Sequence, residues 1–358
     1  MREYRIAVIP GDGIGAEVTP AGVEVLSAAA QRVGGFRLRY EEFPWGCNHY
    51  LSRGLMMPED GLRTLRSFDA IYFGAVGFPG VPDHVSLRGL RLPICQGFEQ
   101  YVCLRPSRIL PGIPSPLAGK KAGDVDFVVV RENTEGEYAG AGGRAHEGLP
   151  IEVAVQTTVF SRVGTERVAR YAFSLAQSRR RRLVSATKSN AQQHAFTFWD
   201  EIVEEVGRDF PDVELERVLI DALAARFVLK PESLDVVVAS NLFGDILTDL
   251  GAAICGSLGV APSGNINPER AYPSMFEPVH GSAADIVGKG IANPLGMIAC
   301  GAMMLDFLGE KEAAGLIDSA IRAASAEGRT LTPDLGGTAG TRDVVDAVLD
   351  QMARPRSS

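Results

Sequence analysis

An α/β fold on a doubly wound, mostly parallel sheet is predicted for this chain by three observations. Strand-like runs alternate with helical ones along most of its length. Hydrophobic residues make up 46% and charged residues 22%, with 40 glycines to serve tight turns. At 358 residues the chain can bury one large core or two ordinary ones. Taken in order, Arg5–Ile9 reads as a strand, Ala16–Val33 as a helix and Arg37–Glu42 as a strand. Ala70–Phe73 is a further strand, ending in Gly74-Ala75-Val76-Gly77. At Leu104-Arg105-Pro106 the texture changes, and prolines 106, 111, 114 and 116 make an irregular connector that marks a domain crossing. Val125–Val130 reads as a buried strand, and the small residues of Glu137–Glu147 as an exposed arm or loop. Alternation resumes through Val238. A glycine- and proline-rich stretch after Gly251 leads to apolar helices at Leu295–Leu308 and Ala313–Ala324. There is no internal repeat.

Charge and cysteine usage narrow the function. A net charge of -8, with no basic domain to release counterions, argues against nucleic acid as a partner. The one basic run, Arg179–Arg182, follows a helical pattern and suits a helix C-terminus. Cys47, Cys95, Cys103, Cys255 and Cys300 are odd in number, scattered and without zinc-ligand spacing, so reduced thiols in a cytoplasmic protein are expected. The N-terminus enters a strand directly, and no apolar run reaches membrane-spanning length, so a soluble protein with no membrane partner is expected.

The segment 235–249 is the richest in chemistry. A strand, Val236–Ala239, breaks at Ser240-Asn241, and a helical stretch carries Asp245 and Asp249, four residues apart. That spacing puts both carboxylates on one helical face, where a hard divalent cation would relieve their repulsion. Acids that suit the dipole of a helix N-terminus are the plainer alternative. Asp221 lies at the end of the apolar run Val218-Leu219-Ile220, and Arg131 directly follows an apolar strand end. Gly11-Asp-Gly-Ile-Gly-Ala16 formally satisfies a dinucleotide-binding G-x-G-x-x-A. Pro10 inside the turn and the late acidic pair Glu41-Glu42 speak against it.

Six ordered motifs carry a resemblance: Ile9–Gly15 (IPGDGIG), Leu104-Arg-Pro106, Val130–Gly136 (VRENTEG), Ala186–Asn190 (ATKSN), Ser240–Asp245 (SNLFGD) and Glu277–Ser282 (EPVHGS). Together they resemble the β-decarboxylating dehydrogenases, the family of isopropylmalate, isocitrate, homoisocitrate and tartrate/D-malate dehydrogenases. Trp45-Gly46, Met56–Gly61, Pro82–His84 and Arg131–Tyr138 are most similar to the tartrate/D-malate branch. The resemblance implies a two-domain isopropylmalate-dehydrogenase-like fold. A discontinuous cofactor-binding domain (1–103 and 253–358) would join a substrate, metal and dimerisation α/β domain (104–252). It further implies a homodimer whose active sites borrow residues from both subunits.

Carried over by position, Asp245 and Asp249 of one subunit and Asp221 of the other would hold Mg2+ or Mn2+. Lys188 would act as base on the 2-hydroxyl across the dimer, and Tyr138 as the acid that protonates the enolate carbon. Arg105 and Arg131 would bind the substrate carboxylates. Glu277, His280, Gly281, Ser282, Ala283 and Asp285 match the adenosine loop, with Asn293 reaching the adenine. Ala284 stands where the family commonly has proline. A carboxylate at Asp285 accepts from both ribose hydroxyls and repels a 2′-phosphate, which favours NAD over NADP. The resemblance also allows for a monovalent cation such as K+. The family usually has an arginine ten residues before that of Leu-Arg-Pro, and here Cys95 takes its place. Arg88 and Arg91 lie upstream, on one face if the segment is helical, although Pro93 argues against a continuous helix. Either Arg91 or Arg88 substitutes for the missing cation, or the substrate differs from plain malate or tartrate, or Cys95 is a small filler. The expected reaction is NAD- and metal-dependent oxidation, with β-decarboxylation, of a (2R)-malate-type 2-hydroxy acid. D-malate or tartrate is favoured over isopropylmalate or an isocitrate-like acid with an extra anionic group. A non-catalytic regulatory subunit is the contrasting expectation, but such a subunit would be expected to lose the carboxylates, lysine or tyrosine kept here.

Overall fold

A computed structural model describes residues 1–355. In chain order the elements are β1 (Arg2–Gly11), α1 (Gly15–Val33), β2 (Phe36–Glu42), α2 (Cys47–Arg53), α3 (Gly61–Leu65), β3 (Ala70–Ala75) and α4 (Asp83–Ser86). A wide π-type turn, Leu87–Arg91, then leads into α5 (Leu92–Gly97), β4 (Val102–Arg108), β5 (Asp126–Glu132), β6 (Gly142–Ala145), β7 (Val153–Gln156), α6 (Arg162–Ser178), β8 (Arg182–Thr187) and α7 (Ala195–Gly207). The remainder is β9 (Glu214–Leu219), α8 (Ile220–Leu229), β10 (Val236–Ala239), α9 (Asn241–Ile254), β11 (Pro262–Ile266), β12 (Ser274–Pro278), α10 (Leu295–Leu308), α11 (Lys311–Ala326) and α12 (Thr341–Ala353).

The chain divides into two compact units. The first comprises Met1–Gln100, Arg105–Val125 and the described chain from Gly251 onward. Its strands run in the order β2-β1-β3-β12-β11, parallel except for the antiparallel β11–β12 pair. Side chains alternate between the faces of this sheet. Ile6, Val8, Ala70 and Tyr72 join Val18, Leu26, Met297 and Ile317 in one apolar cluster. Ala7, Ile9, Ile71 and Phe73 join Trp45, Leu65, Ile94 and Phe98 in the other. A sheet covered on both faces explains why these strands are apolar throughout.

The second unit comprises Tyr101–Leu104 and Asp126–Leu250. Its strands β5-β10-β8-β9 are all parallel. The sequence reading placed the whole of 104–252 in this unit, but Arg105–Val125 belongs to the first. Ile109 and Ile113 are buried, and Ser115 donates to the Ile254 carbonyl at 2.6 Å, which ties the proline-rich connector there. The segment Glu137–Glu147, read as an exposed arm or loop, carries β6, the first strand of an exposed antiparallel hairpin completed by β7.

Two local expectations are corrected. Pro10 lies within β1 rather than in the turn after it. Pro93 does not interrupt the helical run from Asp83 to Gly97. A proline ring collides with the carbonyl four residues back in a regular α-helix, and the wider turn just before Pro93 makes room for it. The Arg179–Arg182 run also has a more specific use than helix capping. Arg179 Nε donates to Asp235 at 2.8 Å, and the Arg180 backbone amide to the same fully buried carboxylate at 2.8 Å. All five cysteines are buried thiols outside any disulfide, and no helix among the described residues is long and apolar enough to cross a membrane.

Candidate active site

In the second unit, chemistry gathers where α9 meets the end of β5. Arg131 is buried at the strand end, 2% exposed. Its Nε and Nη2 donate to Asn241 Oδ1 at 3.0 and 2.6 Å, and its Nη1 pairs with Asp245. The other Asp245 oxygen, Oδ2, accepts from the Tyr138 hydroxyl at 2.8 Å, and the guanidinium lies 5.4 Å from the Tyr138 ring centre. Gly244 makes this approach possible, because a Cβ there would come within 2.6 Å of the Arg131 side chain. Asp249 follows one turn later on the same helical face and is exposed.

The loop that carries Tyr138 is shaped by two carboxylates. Buried Glu132 accepts from the backbone amides of Thr134 and Glu135, each at 2.8 Å. Burial raises its pKa, and these hydrogen bonds work the other way. Glu135 accepts from the Ser161 backbone amide at 2.8 Å, at the start of α6. Elsewhere in this unit Lys188, just past β8, donates to Asp221 Oδ1 at 2.7 Å in the first turn of α8. The hydrogen bond from Lys188 holds the Asp221 carboxyl below its ordinary range. Lys188 and Asp221 were read as acting together across a dimer, and one chain already pairs them.

In the first unit, Glu277 is the penultimate residue of β12 and opens the predicted cofactor loop. It is buried and accepts from Arg91 Nε and from Asn265 Nδ2, each at 2.7 Å. Arg105 Nε donates to Ser263 Oγ at 3.4 Å. The backbone at Ser282 is seated on the first turn of the chain: Ile14 donates to its carbonyl at 2.9 Å, and a Cβ on Gly13 would lie 2.0 Å from that oxygen. Ala283 takes a positive φ of 43°. His280 Nδ1 lies 2.9 Å from the Gly281 carbonyl, its Nε2 is buried without a hydrogen-bond partner among the described residues, and burial lowers its pKa. Gly281 and Asp285 are exposed. Asn293 is buried, with Nδ2 donating to Asp334 at 3.0 Å and Oδ1 accepting from Leu295 N at 3.0 Å. Its amide therefore organises the start of α10 in this structure.

Sequence reasoning missed two residues that hold these arrangements. Asn241 receives Arg131, though its place beside Asp245 in SNLFGD was a usable signal. Asp12, 5% exposed, accepts from Cys47 N at 2.7 Å and Gly77 N at 2.9 Å and so joins three loops at strand ends. An acid between two glycines just after an apolar strand was the usable signal, and both glycines take positive φ.

The donor chemistry suits the groups predicted to bind. Asp245 and Asp249 offer only carboxylate oxygens, the preference of a hard divalent ion. Among the described residues no three His, Cys, Asp or Glu side chains gather as a metal site. The exposed Asp285 makes no side-chain hydrogen bond or ion pair among the described residues, so its carboxylate oxygens are open to a hydroxyl-bearing ligand.

Comparison with known proteins gives one consistent picture. The family model described as isocitrate/isopropylmalate dehydrogenase matches residues 5–348. The chain is 57% identical over 354 residues to a probable tartrate dehydrogenase/decarboxylase of Agrobacterium vitis, covering 99% of this chain and 97% of the other. It is 56% identical over 362 residues to the decarboxylating D-malate dehydrogenase of Escherichia coli strain K12, covering 99% and 100%. Among solved structures, isocitrate dehydrogenase from Methylococcus capsulatus superimposes with a TM-score of 0.87 at 33% identity, covering 98% of this chain and 100% of that one.

Proposed function

This chain belongs to the isocitrate/isopropylmalate dehydrogenase family, and from that premise we propose that it uses NAD and a divalent metal to oxidise and decarboxylate a (2R)-malate-type 2-hydroxy acid, D-malate or tartrate. The coarser statement stands without a proposal: with relatives this similar, it is a decarboxylating hydroxy-acid dehydrogenase, an oxidoreductase acting on a CH–OH group. The observation that carries the finer reading is the assembly of Arg131, Tyr138 and Asp245 where β5 meets α9.

In this reading Arg105 and Arg131 hold the substrate carboxylates and fix the hydroxyl-bearing carbon in one orientation. Lys188 takes the hydroxyl proton as that carbon is oxidised to a ketone, for which bound NAD would supply the hydride acceptor. The carboxylate β to the new carbonyl then leaves as carbon dioxide, and its bonding electrons pass into an enolate. Tyr138 delivers a proton to the enolate carbon. Its hydrogen bond to Asp245 holds the ring in place for that transfer. A divalent ion held by Asp245, Asp249 and a partner copy's Asp221 would supply Lewis acidity at the substrate oxygens. The loop 277–285 would bind the adenosine half of NAD, with Asp285 accepting from the ribose hydroxyls and disfavouring a 2′-phosphate.

The enzyme is read as a homodimer with shared sites. Leu149, Ile151, Val153 and Val155 on the hairpin, Leu229 on α8 and Ile246 on α9 are 50–73% exposed, an apolar cost that a second copy would remove. The test is turnover by the purified protein with NAD and Mn2+ or Mg2+ on D-malate, tartrate, isopropylmalate, isocitrate and homoisocitrate, following both NADH and carbon dioxide. Fastest turnover of D-malate or tartrate is expected. Turnover of none of the five would sink the reading, and preference for a larger acid would move the substrate.

A further inference from the structure

Arg91 was read as a stand-in for the arginine that Cys95 replaces. Cys95 itself is fully buried in the apolar cluster with Leu90, Ile94 and Phe98, so this position is core rather than a ligand contact. Arg91 ends the wide turn that precedes Pro93, and it is buried where Arg88, on the same turn, is exposed. Its Nε donates to Glu277 Oε1 at 2.7 Å, and its Nη2 to Asn265 Oδ1 at 3.2 Å. Asn265 Nδ2 donates back to the same Glu277 oxygen at 2.7 Å, so three side chains close a ring of charged and polar hydrogen bonds. The Arg91 and Glu277 side chains are 8% and 7% exposed. A carboxylate at that depth is costly to bury without a cation and donors around it. Glu277 is also the first residue of the loop assigned above to the dinucleotide.

We propose that Arg91 is a positioning residue for the cofactor: it pairs with the Glu277 carboxylate and fixes it where β12 passes into the dinucleotide loop, and so sets affinity for NAD rather than for the hydroxy acid. The proposal rests on the assignment of loop 277–285 to NAD. Two side chains aligned on one oxygen leave Glu277 little rotational freedom, and Asn265 reaches it from β11, the antiparallel partner of β12. Lysine at position 91 would keep the charge but lose the planar guanidinium that serves Glu277 and Asn265 together.

The experiment measures NAD binding to the purified full-length protein by calorimetry, with KM for the hydroxy acid and the melting temperature alongside. The variants are Arg91→Met, Arg91→Lys, Glu277→Gln and the double Arg91→Met/Glu277→Gln. Arg91→Met is expected to weaken NAD binding about tenfold or more, the equivalent of one charged hydrogen bond, with the hydroxy-acid KM moving much less. Arg91→Lys should fall between Arg91→Met and wild type. The double variant should recover the melting temperature, because no uncompensated charge remains, while NAD binding stays weak. Recovery of wild-type NAD affinity in the double variant would overturn the proposal and leave Arg91 a structural counter-ion only. An Arg91→Met effect confined to the hydroxy-acid KM would overturn it in favour of a substrate contact. If wild type itself binds no NAD, the cofactor assignment fails first and this inference falls with it. Should Arg91→Met not fold, Arg91→Lys with unchanged NAD affinity overturns the proposal by itself.

Discussion

In the first unit the side chains of Arg91 and Glu277 are 8% and 7% exposed, whereas in the second Lys188, Asp245 and Asp221 are 27%, 36% and 67% exposed. Both regions hold acid–base pairs at hydrogen-bond distance, but burial gives them different work. A buried pair is locked, because separating it strands a charge in a poor solvent. A half-exposed pair is held loosely, since water competes for both partners, and it can exchange one partner for a ligand. Around Glu277 buried charge fixes a loop, whereas around Asp245 and Asp221 part-exposed charge can exchange partners. The fully buried Asp235, paired with Arg179 in the second unit, belongs with the locked class. Arg131 bridges these regimes within its own unit, buried itself yet paired with the part-exposed Asp245.

The sharpest way to break this comparison is to neutralise the exposed carboxylates. Asp245→Asn or Asp249→Asn is expected to lower kcat by about two to four orders of magnitude, the scale of a lost catalytic group, with the fold retained. Steady-state rates at limiting Mn2+ beside a thermal melt decide it, and near-normal rates in either variant would remove that residue from the metal assignment. Mixing inactive Lys188→Ala with inactive Asp245→Asn protomers sharpens the same point. If sites are shared between subunits, heterodimers regain part of the activity. Heterodimers that form yet stay inactive would leave each chain self-contained.

The locked class should respond in stability instead. Asp235→Ala removes a fully buried carboxylate from Arg179 and the Arg180 amide, and a loss of about 3 kcal/mol is expected. A melting temperature within error of wild type would show the pair to be dispensable. On the cofactor side, Asp285→Ala should weaken NAD binding about tenfold, through loss of a charged acceptor for ribose, and narrow the preference for NAD over NADP. Equal effects on both dinucleotides would argue against a ribose contact.

The smallest effect concerns His280. Burial holds its pKa below the ordinary 6.5. As pH falls below 6.5 the unfolded chain therefore takes up the proton first. The stability contributed by the neutral ring is complete above 6.5 and is lost as pH falls toward the folded pKa. His280→Gln should flatten the acid side of a melting-temperature profile, and an unchanged slope would mean the ring is not the group titrating.

Periodic features were legible in the sequence and long-range ones were not. The helix at Leu295–Leu308 is found with the expected ends, because its apolar residues need only their neighbours to declare it. The shared face of Asp245 and Asp249 followed from helical spacing alone. By contrast β11, Pro-Ser-Gly-Asn-Ile, has little intrinsic strand preference and exists through pairing with β12. The partnership of Arg131 with Asn241, 110 positions apart, and of Arg91 with Glu277, 186 apart, is a property of topology. Motif order located the participants, while local sequence could not say which would touch. Cys95 shows the same limit: the family resemblance marked a missing arginine, but only packing showed the position to be core.

The close seating of Ser282 on Gly13 has a kinetic consequence. Because the Ile14 amide holds the Ser282 carbonyl at 2.9 Å across a residue with no side chain, the loop proposed above to take the dinucleotide is anchored at Ser282 without it. Its ordering is completed during folding and is not repeated at each encounter. Association should then rise in proportion to ligand concentration with no plateau from a slow opening step, and differences in affinity among dinucleotides should reside in how fast they leave.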